Sequence, residues 1–227
     1  MPRSSTAAVN PLPQSSNSHS RTPRVVGLTG GIAMGKTTVS NYLAQVHQLP
    51  VLDADLYARE AVAPGSSILA AITDRYGSTI LNPDGSLDRK QLGTIIFTQP
   101  QERQWIEHQI HPFVRQRLQA DRDAHLQVDP KRPVVLVIPL LFEAAMTDLV
   151  TEIWVIYCPR DRQIQRLMER ETLSYDQAIA RVQSQMDIQE KCDRADLVLD
   201  NSLTIEGLFQ AVDRALTKGS NLRSLNP

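Results

Sequence analysis

The sequence is poor in several things, and each shortage narrows the field. Only two cysteines occur in 227 residues, Cys158 and Cys192, and neither has metal-ligand spacing around it. A disulfide scaffold and a cysteine-built metal site are therefore not expected, and both thiols read as small buried hydrophobes. No apolar run approaches the roughly 20 residues that span a bilayer. No charge sign dominates, the formal net charge being −1. That balance argues against a dedicated nucleic-acid or membrane-surface protein. The first 24 residues contain three Arg and no acid, and they lack the apolar middle of a secretory signal. They are rich in Ser, Pro and Asn, show no amphipathic helix, and read as a disordered tail. Residues 218–227 are expected to fray in the same way. A cytoplasmic location follows from these readings, with a monomer as the default.

What remains, 41% hydrophobic residues, suffices for a sizeable core. β-rich apolar runs recur at Val25–Thr29, Val51–Leu52, Val134–Ile138, Ile153–Tyr157 and Leu197–Leu199. They are continuous rather than alternating, as in strands covered on both faces. Helical patterns lie between them, which predicts an α/β domain with a parallel five-stranded sheet. The long gap from Leu56 to Arg132 holds helical patterns at Ile68–Tyr76, Asp88–Phe97 and Arg103–Ala124. Turns are expected at residues 82–85 and at His111-Pro112. A second charged helical excursion covers Arg162–Lys191, its second helix opened by a capping box from Ser174 to Gln177.

One stretch carries specific chemistry. Residues 27–38 read GLTGGIAMGKTT, and Gly30, Gly35, Lys36 and Thr37 fit G-x-x-x-x-G-K-[ST] between a strand and a helix. Glycines there let backbone N–H groups approach phosphate oxygens, and the helix start adds positive dipole. Lys36 would reach the β and γ phosphates, and the Thr37 hydroxyl would sit on Mg²⁺. The nucleotide cradle comprises Gly30, Gly31, Ala33, Met34, Gly35, Lys36, Thr37 and Thr38.

The loop alone does not give a function, because switches, motors and kinases all use it. An NKxD motif is missing, and DRYG at 74–77 closes a helical pattern rather than following a strand. A GTPase switch is thereby disfavoured. The run VVLVIP at 134–139 ends without an acid, which weakens a motor-type ATPase.

Asp53 and Asp55 follow the second strand, where a parallel sheet gathers its ligands. Two apart in an extended segment, they would point the same way. One would accept a proton from a substrate hydroxyl and the other would hold Mg²⁺ through water. Alternatively, one or both cap the helix that starts near Leu56. Arg162, Arg166 and Arg170 share a helix face by their spacing of four. They suit a lid over a triphosphate, against the plainer reading of a solvated charged face.

Together these residues resemble the dephospho-coenzyme A kinase family. The resemblance rests on Leu28–Thr38, Asp53–Arg59, His111-Pro112, Pro139–Glu143, the charged segment Arg162–Gln185, and Ala195–Asn201. It covers about Val25 to Leu216 and implies a P-loop nucleotide-kinase core with a helical insertion subdomain and a helical lid. The core would be 25–55, 133–160 and 195–217, the CoA-binding insertion about 56–132, and the lid about 161–194. The implied reaction moves the γ-phosphoryl of ATP to the ribose 3′-hydroxyl of dephospho-CoA. By the same resemblance Asp55 is the general base, and Lys36, Arg166 and Arg170 are catalytic. Asp53, Asp55, Arg89, His111, Pro112, Leu140 and Glu143 would serve the acceptor. ATP, Mg²⁺ and dephospho-CoA are the implied ligands. Two other readings stay open from the residues themselves: another P-loop kinase acting on a nucleoside or nucleoside monophosphate, and an ATP-binding switch or scaffold. The loop departs from the family at Ala33-Met34, where a hydroxyl is common.

Overall fold

The β-rich runs are strands in the computed structural model, which describes residues 22–218. The expected terminal tails lie almost wholly outside the described residues. Five strands, β1 (Val25–Gly30), β2 (Val51–Asp53), β3 (Val134–Val137), β4 (Glu152–Tyr157) and β5 (Leu197–Asp200), form one sheet of order β2-β3-β1-β4-β5. Every pairing is parallel. The central β1 is buried along its whole length, with Gly27 in register with Leu136 and Ile153. The chain leaves β1 for one sheet edge and later returns to its other side. The carboxyl end of β1 is therefore the switch point where a ligand crevice opens.

Helices cover both faces. Helix α1 (Lys36–Gln45) and α9 (Ile205–Lys218) pack Val39, Leu43, Leu208 and Val212 against Val26, Leu28, Trp154 and Ile156. On the opposite face Val114 and Leu118 of α5 (Pro100–Val128) lie against Leu136, Ile138, Leu141 and Leu149. The edge strand β5 is the least covered, with Val198 exposed.

Between β2 and β3 run α2 (Ala54–Ala61), α3 (Ser67–Tyr76), α4 (Arg89–Thr98) and α5. They hold their own core of Val62, Leu69, Ile72, Ile80, Leu87, Leu92 and Ile106. Ser66 caps α3 and Asp88 caps α4 through their side chains. Gly77 ends α3 at φ 78°, so DRYG is a helix terminus, as its pattern indicates.

The expected turn at His111-Pro112 is absent: α5 runs unbroken through Pro112. A proline inside a helix removes one backbone bond and crowds the carbonyl four residues back. Here both Pro112 and that residue, His108, are exposed, so water can serve the freed carbonyl. Packing at both ends holds the helix, with Ile106 in the insertion core and Val114 and Leu118 under the sheet.

Between β4 and β5 lie α6 (Arg160–Glu171), α7 (Tyr175–Gln183) and α8 (Ile188–Asp193). The capping box opens α7: Ser174 N–H donates to Gln177 Oε1 at 2.9 Å and Gln177 N–H to Ser174 Oγ at 3.3 Å. Arg24, assigned to the tail from composition, is instead anchored. Its guanidinium pairs with Glu152 and donates to the carbonyls of Ala215 and Leu216, each at 2.9 Å. Those carbonyls belong to the last turn of α9, where partners inside the helix run out.

Candidate active site

The loop after β1 is shaped by steric demands on its backbone. Gly30 adopts φ 140°, and a Cβ there would fall 2.5 Å from the Ile156 carbonyl oxygen. Gly35, at φ 103°, caps α1, and its Cβ would lie 2.3 Å from Asn201 Nδ2. Only glycine fits either position. Ala33 also takes a left-handed conformation, at φ 59°. Met34 runs its side chain beneath the loop into the core, where it is fully buried, and a Cβ at Gly31 would fall 3.1 Å from its Sδ. This explains how methionine is tolerated: its side chain packs beneath the cradle, and its carbonyl accepts from Asn201 Nδ2 at 2.8 Å.

Lys36 opens α1 and folds back over the loop, donating to the carbonyls of Gly30 and Gly31, each at 2.9 Å. Its ammonium is pushed down to about 8, first by burial and then by the neighbouring charge of Lys191. Arg170 acts in the same direction, and Asp55 and Asp53 oppose it. Thr37 and Thr38 join Lys36 along a cavity of about 930 Å³ that also takes in Asp55, Leu140, Arg166 and Arg170.

Asp53 and Asp55 do not share an extended segment. Asp53 ends β2 and caps α2, its Oδ1 accepting the Asp55 N–H at 2.8 Å, while Asp55 stands in the first helical turn. The strand-to-helix change comes immediately after Asp53 because that cap satisfies an orphan amide. The Asp55 carboxyl is held above the usual carboxylate range, first by desolvation in the cleft and then by the charge of Asp53. Lys36 and Arg59 pull the other way.

Two further cavities adjoin the first. Asp55 also lines a pocket of about 140 Å³ with His111, Ile110, Glu107 and Pro139. Burial lowers the His111 imidazole below its ordinary value, against the pull of Glu107. Glu107 and Ile106 pass on to a third cavity of about 800 Å³, bordered by Arg89, Lys90, Arg103 and Arg181. Leu140 borders all three. Phosphate loop, carboxylate and a basic hollow thus line neighbouring cavities that share wall residues.

Two expected acceptor contacts fall elsewhere. Pro112 is exposed on α5 and borders none of the three cavities. Glu143 turns its carboxylate to Lys191 Nζ at 2.8 Å and to the Met186 N–H at 3.1 Å. Of the arginine row, Arg166 and Arg170 face the large cavity and Arg162 does not. Arg166 donates to the Asn201 carbonyl at 3.3 Å, and Arg170 pairs with Glu171 at 2.6 Å.

Residues not singled out in the sequence also support the loop. Ile32 N–H donates to Gln185 Oε1 at 2.8 Å, and Gln163 Nε2 donates to the Ile32 carbonyl at 2.9 Å. Asn201 and Gln185 fall within the resembling segments, but no periodicity marks their side chains as braces.

A phosphate loop at the switch point of a parallel sheet, with a carboxylate and arginines around it, defines a P-loop kinase. The dephospho-CoA kinase family matches residues 24–206. The chain is 56% identical over 196 residues to the dephospho-CoA kinase of Trichormus variabilis, covering 86% of this chain and 97% of that protein. Among solved structures, TT1252 from Thermus thermophilus superposes with a TM-score of 0.73 at 31% identity, covering 88% of this chain and all of that one. The dephospho-CoA kinase from Campylobacter jejuni gives 0.63 at 28% identity, covering 86% and 96%. The chain belongs to the dephospho-CoA kinase family.

Proposed function

We propose that the protein transfers the γ-phosphoryl group of ATP to the ribose 3′-hydroxyl of dephospho-CoA, releasing CoA and ADP in the cytoplasm. The observation that carries this reading is the position of Asp55. Its carboxylate borders the cavity under the phosphate loop and the pocket that leads to the basic hollow.

In this reading the triphosphate lies along Gly30, Gly31, Ala33, Met34 and Gly35, with Thr37 and Thr38 at the helix start. Loop amides and Lys36 neutralise it, and Arg166 and Arg170 close on it from α6 as part of a lid over about 161–194. Phosphoryl transfer depends on position and charge neutralisation more than on covalent chemistry. Asp55 orients the acceptor hydroxyl and takes its proton, which its raised affinity for protons suits it to do. The Thr37 hydroxyl, with Asp53 through water, offers the oxygen donors that Mg²⁺ takes. When bound, the ion would shield phosphate charge. The helical insertion, about 56–132, receives the acceptor. His111 and Leu140 flank the reacting end, and Arg89 with its basic neighbours meets the acceptor's diphosphate. A bare nucleoside would use little of that path.

The test is a coupled ADP-release assay with dephospho-CoA against nucleosides and nucleoside monophosphates. Release dependent on dephospho-CoA alone is expected. Turnover of a monophosphate with none of dephospho-CoA would assign the protein to another P-loop kinase activity.

A further inference from the structure

Lys191, at the end of the charged excursion, is fully withdrawn from solvent. Its Nζ donates to Glu143 Oε1 at 2.8 Å and to the Pro139 carbonyl at 3.1 Å. The Pro139 carbonyl also accepts from Thr29 Oγ1 at 3.2 Å, at the end of β1. Glu143 accepts a second bond from the Met186 N–H at 3.1 Å. One residue before Met186, Gln185 accepts the Ile32 N–H of the phosphate loop at 2.8 Å. Nearby, the Arg194 guanidinium lies 4.3 Å from the Phe142 ring centroid.

The segment around α8 therefore grips two walls at once. Gln185 holds the phosphate loop. Met186, Lys191 and Arg194 hold the stretch 139–143, whose Pro139 and Leu140 separate the donor cavity from the acceptor path. We propose that the Lys191–Glu143 pair, together with Gln185, is a positioning device that sets the spacing between the phosphate loop and the acceptor wall. This rests on the reading of the protein as a dephospho-CoA kinase. Lys191 gives up its hydration entirely while the Glu143 side chain stays partly open to solvent, and the cost of burying the ammonium offsets much of their attraction, so such a pair is a poor device for stability alone. It does impose a geometry. Transfer between two bound substrates depends steeply on that geometry, since a displacement of about 1 Å can cost about 100-fold. Glu143 on this view orders the wall without touching the acceptor.

The experiment compares two rates on the full chain: ADP release with ATP and dephospho-CoA, and ADP release with ATP alone, where water is the acceptor. Glu143→Gln and Lys191→Met should each lower the first rate by about tenfold or more while the second stays within about threefold, so their ratio drops. The double variant should be no worse than the weaker single variant, because both remove one pair. Gln185→Ala, at a half-buried position, should shift the ratio in the same direction by less, and it decides the question if the pair variants do not fold. An unchanged ratio, with both rates intact or both reduced in proportion, would overturn the proposal. If the wild type uses another alcohol acceptor instead, the functional reading falls, and the ratio measured with that acceptor still decides the role of the pair.

Discussion

The donor side and the acceptor side are built on different principles. The donor side is a backbone device: twelve contiguous residues turn from strand to helix, and the shape is enforced at Gly30 and Gly35. The proposed acceptor side would be a side-chain device, assembled from Asp55, Leu140, Glu107, Arg89 and Arg181, which line two cavities from five elements or loops. A backbone device tolerates a change such as Met34, whose side chain serves the core. A side-chain device has no such slack, because each group would itself be the contact.

Removing charge from the donor side should produce the largest effect. Lys36→Ala is expected to lower turnover by about 10³-fold, the upper worth of one preorganised electrostatic group, as read by ADP release. Retention of most activity would mean that loop amides alone suffice. Arg166→Ala and Arg170→Ala should each lower turnover by about tenfold with little change in thermal midpoint, since both side chains border open space. Full activity in both would restore the plainer reading of a solvated charged face.

The two sides should also separate by pH. Asp55 must be ionised to act as a base, and its carboxyl titrates above the ordinary range. Activity is therefore lost as pH falls through that raised value. Lys36 must be protonated to neutralise phosphate, so nucleotide affinity in the free protein should weaken as pH rises through about 8. An acid limb in kcat and an alkaline limb in ATP affinity are the expected signatures. The same shift has a stability consequence. A carboxyl that binds protons more tightly when folded costs stability as pH rises through its unfolded value, and Asp55→Asn removes that cost. The smallest effect belongs to Pro112→Ala, which should leave turnover within about twofold and raise stability by about 1 kcal/mol or less by restoring a helix bond. A marked rise in the KM for dephospho-CoA would return Pro112 to the acceptor side.

This contrast also explains what the sequence disclosed. Strands were legible because both faces of β1 and β3 are buried, leaving continuous apolar runs. The loop was legible because its constraints are local. The place of Asp55 just after a strand was legible, but its orientation was misjudged. A single hydrogen bond from its own N–H to Asp53 starts a helix there. Pro112 was misread because tertiary packing on either side outweighs its local preference. Lys191 was missed because its partner lies 48 residues away, at Glu143, and nothing in a charged surface pattern marks one lysine as the buried one. Long-range pairs escape periodicity, whereas helix caps, such as Ser174–Gln177, do not.

The place of Asp55 between the two sides is tested most directly by acceptor-dependent ADP release in Asp55→Asn at saturating ATP and dephospho-CoA. With ATP affinity within about threefold of wild type, turnover should fall by about 100-fold or more, the usual worth of a positioned base. Turnover equal to that of the wild type would remove Asp55 from proton transfer.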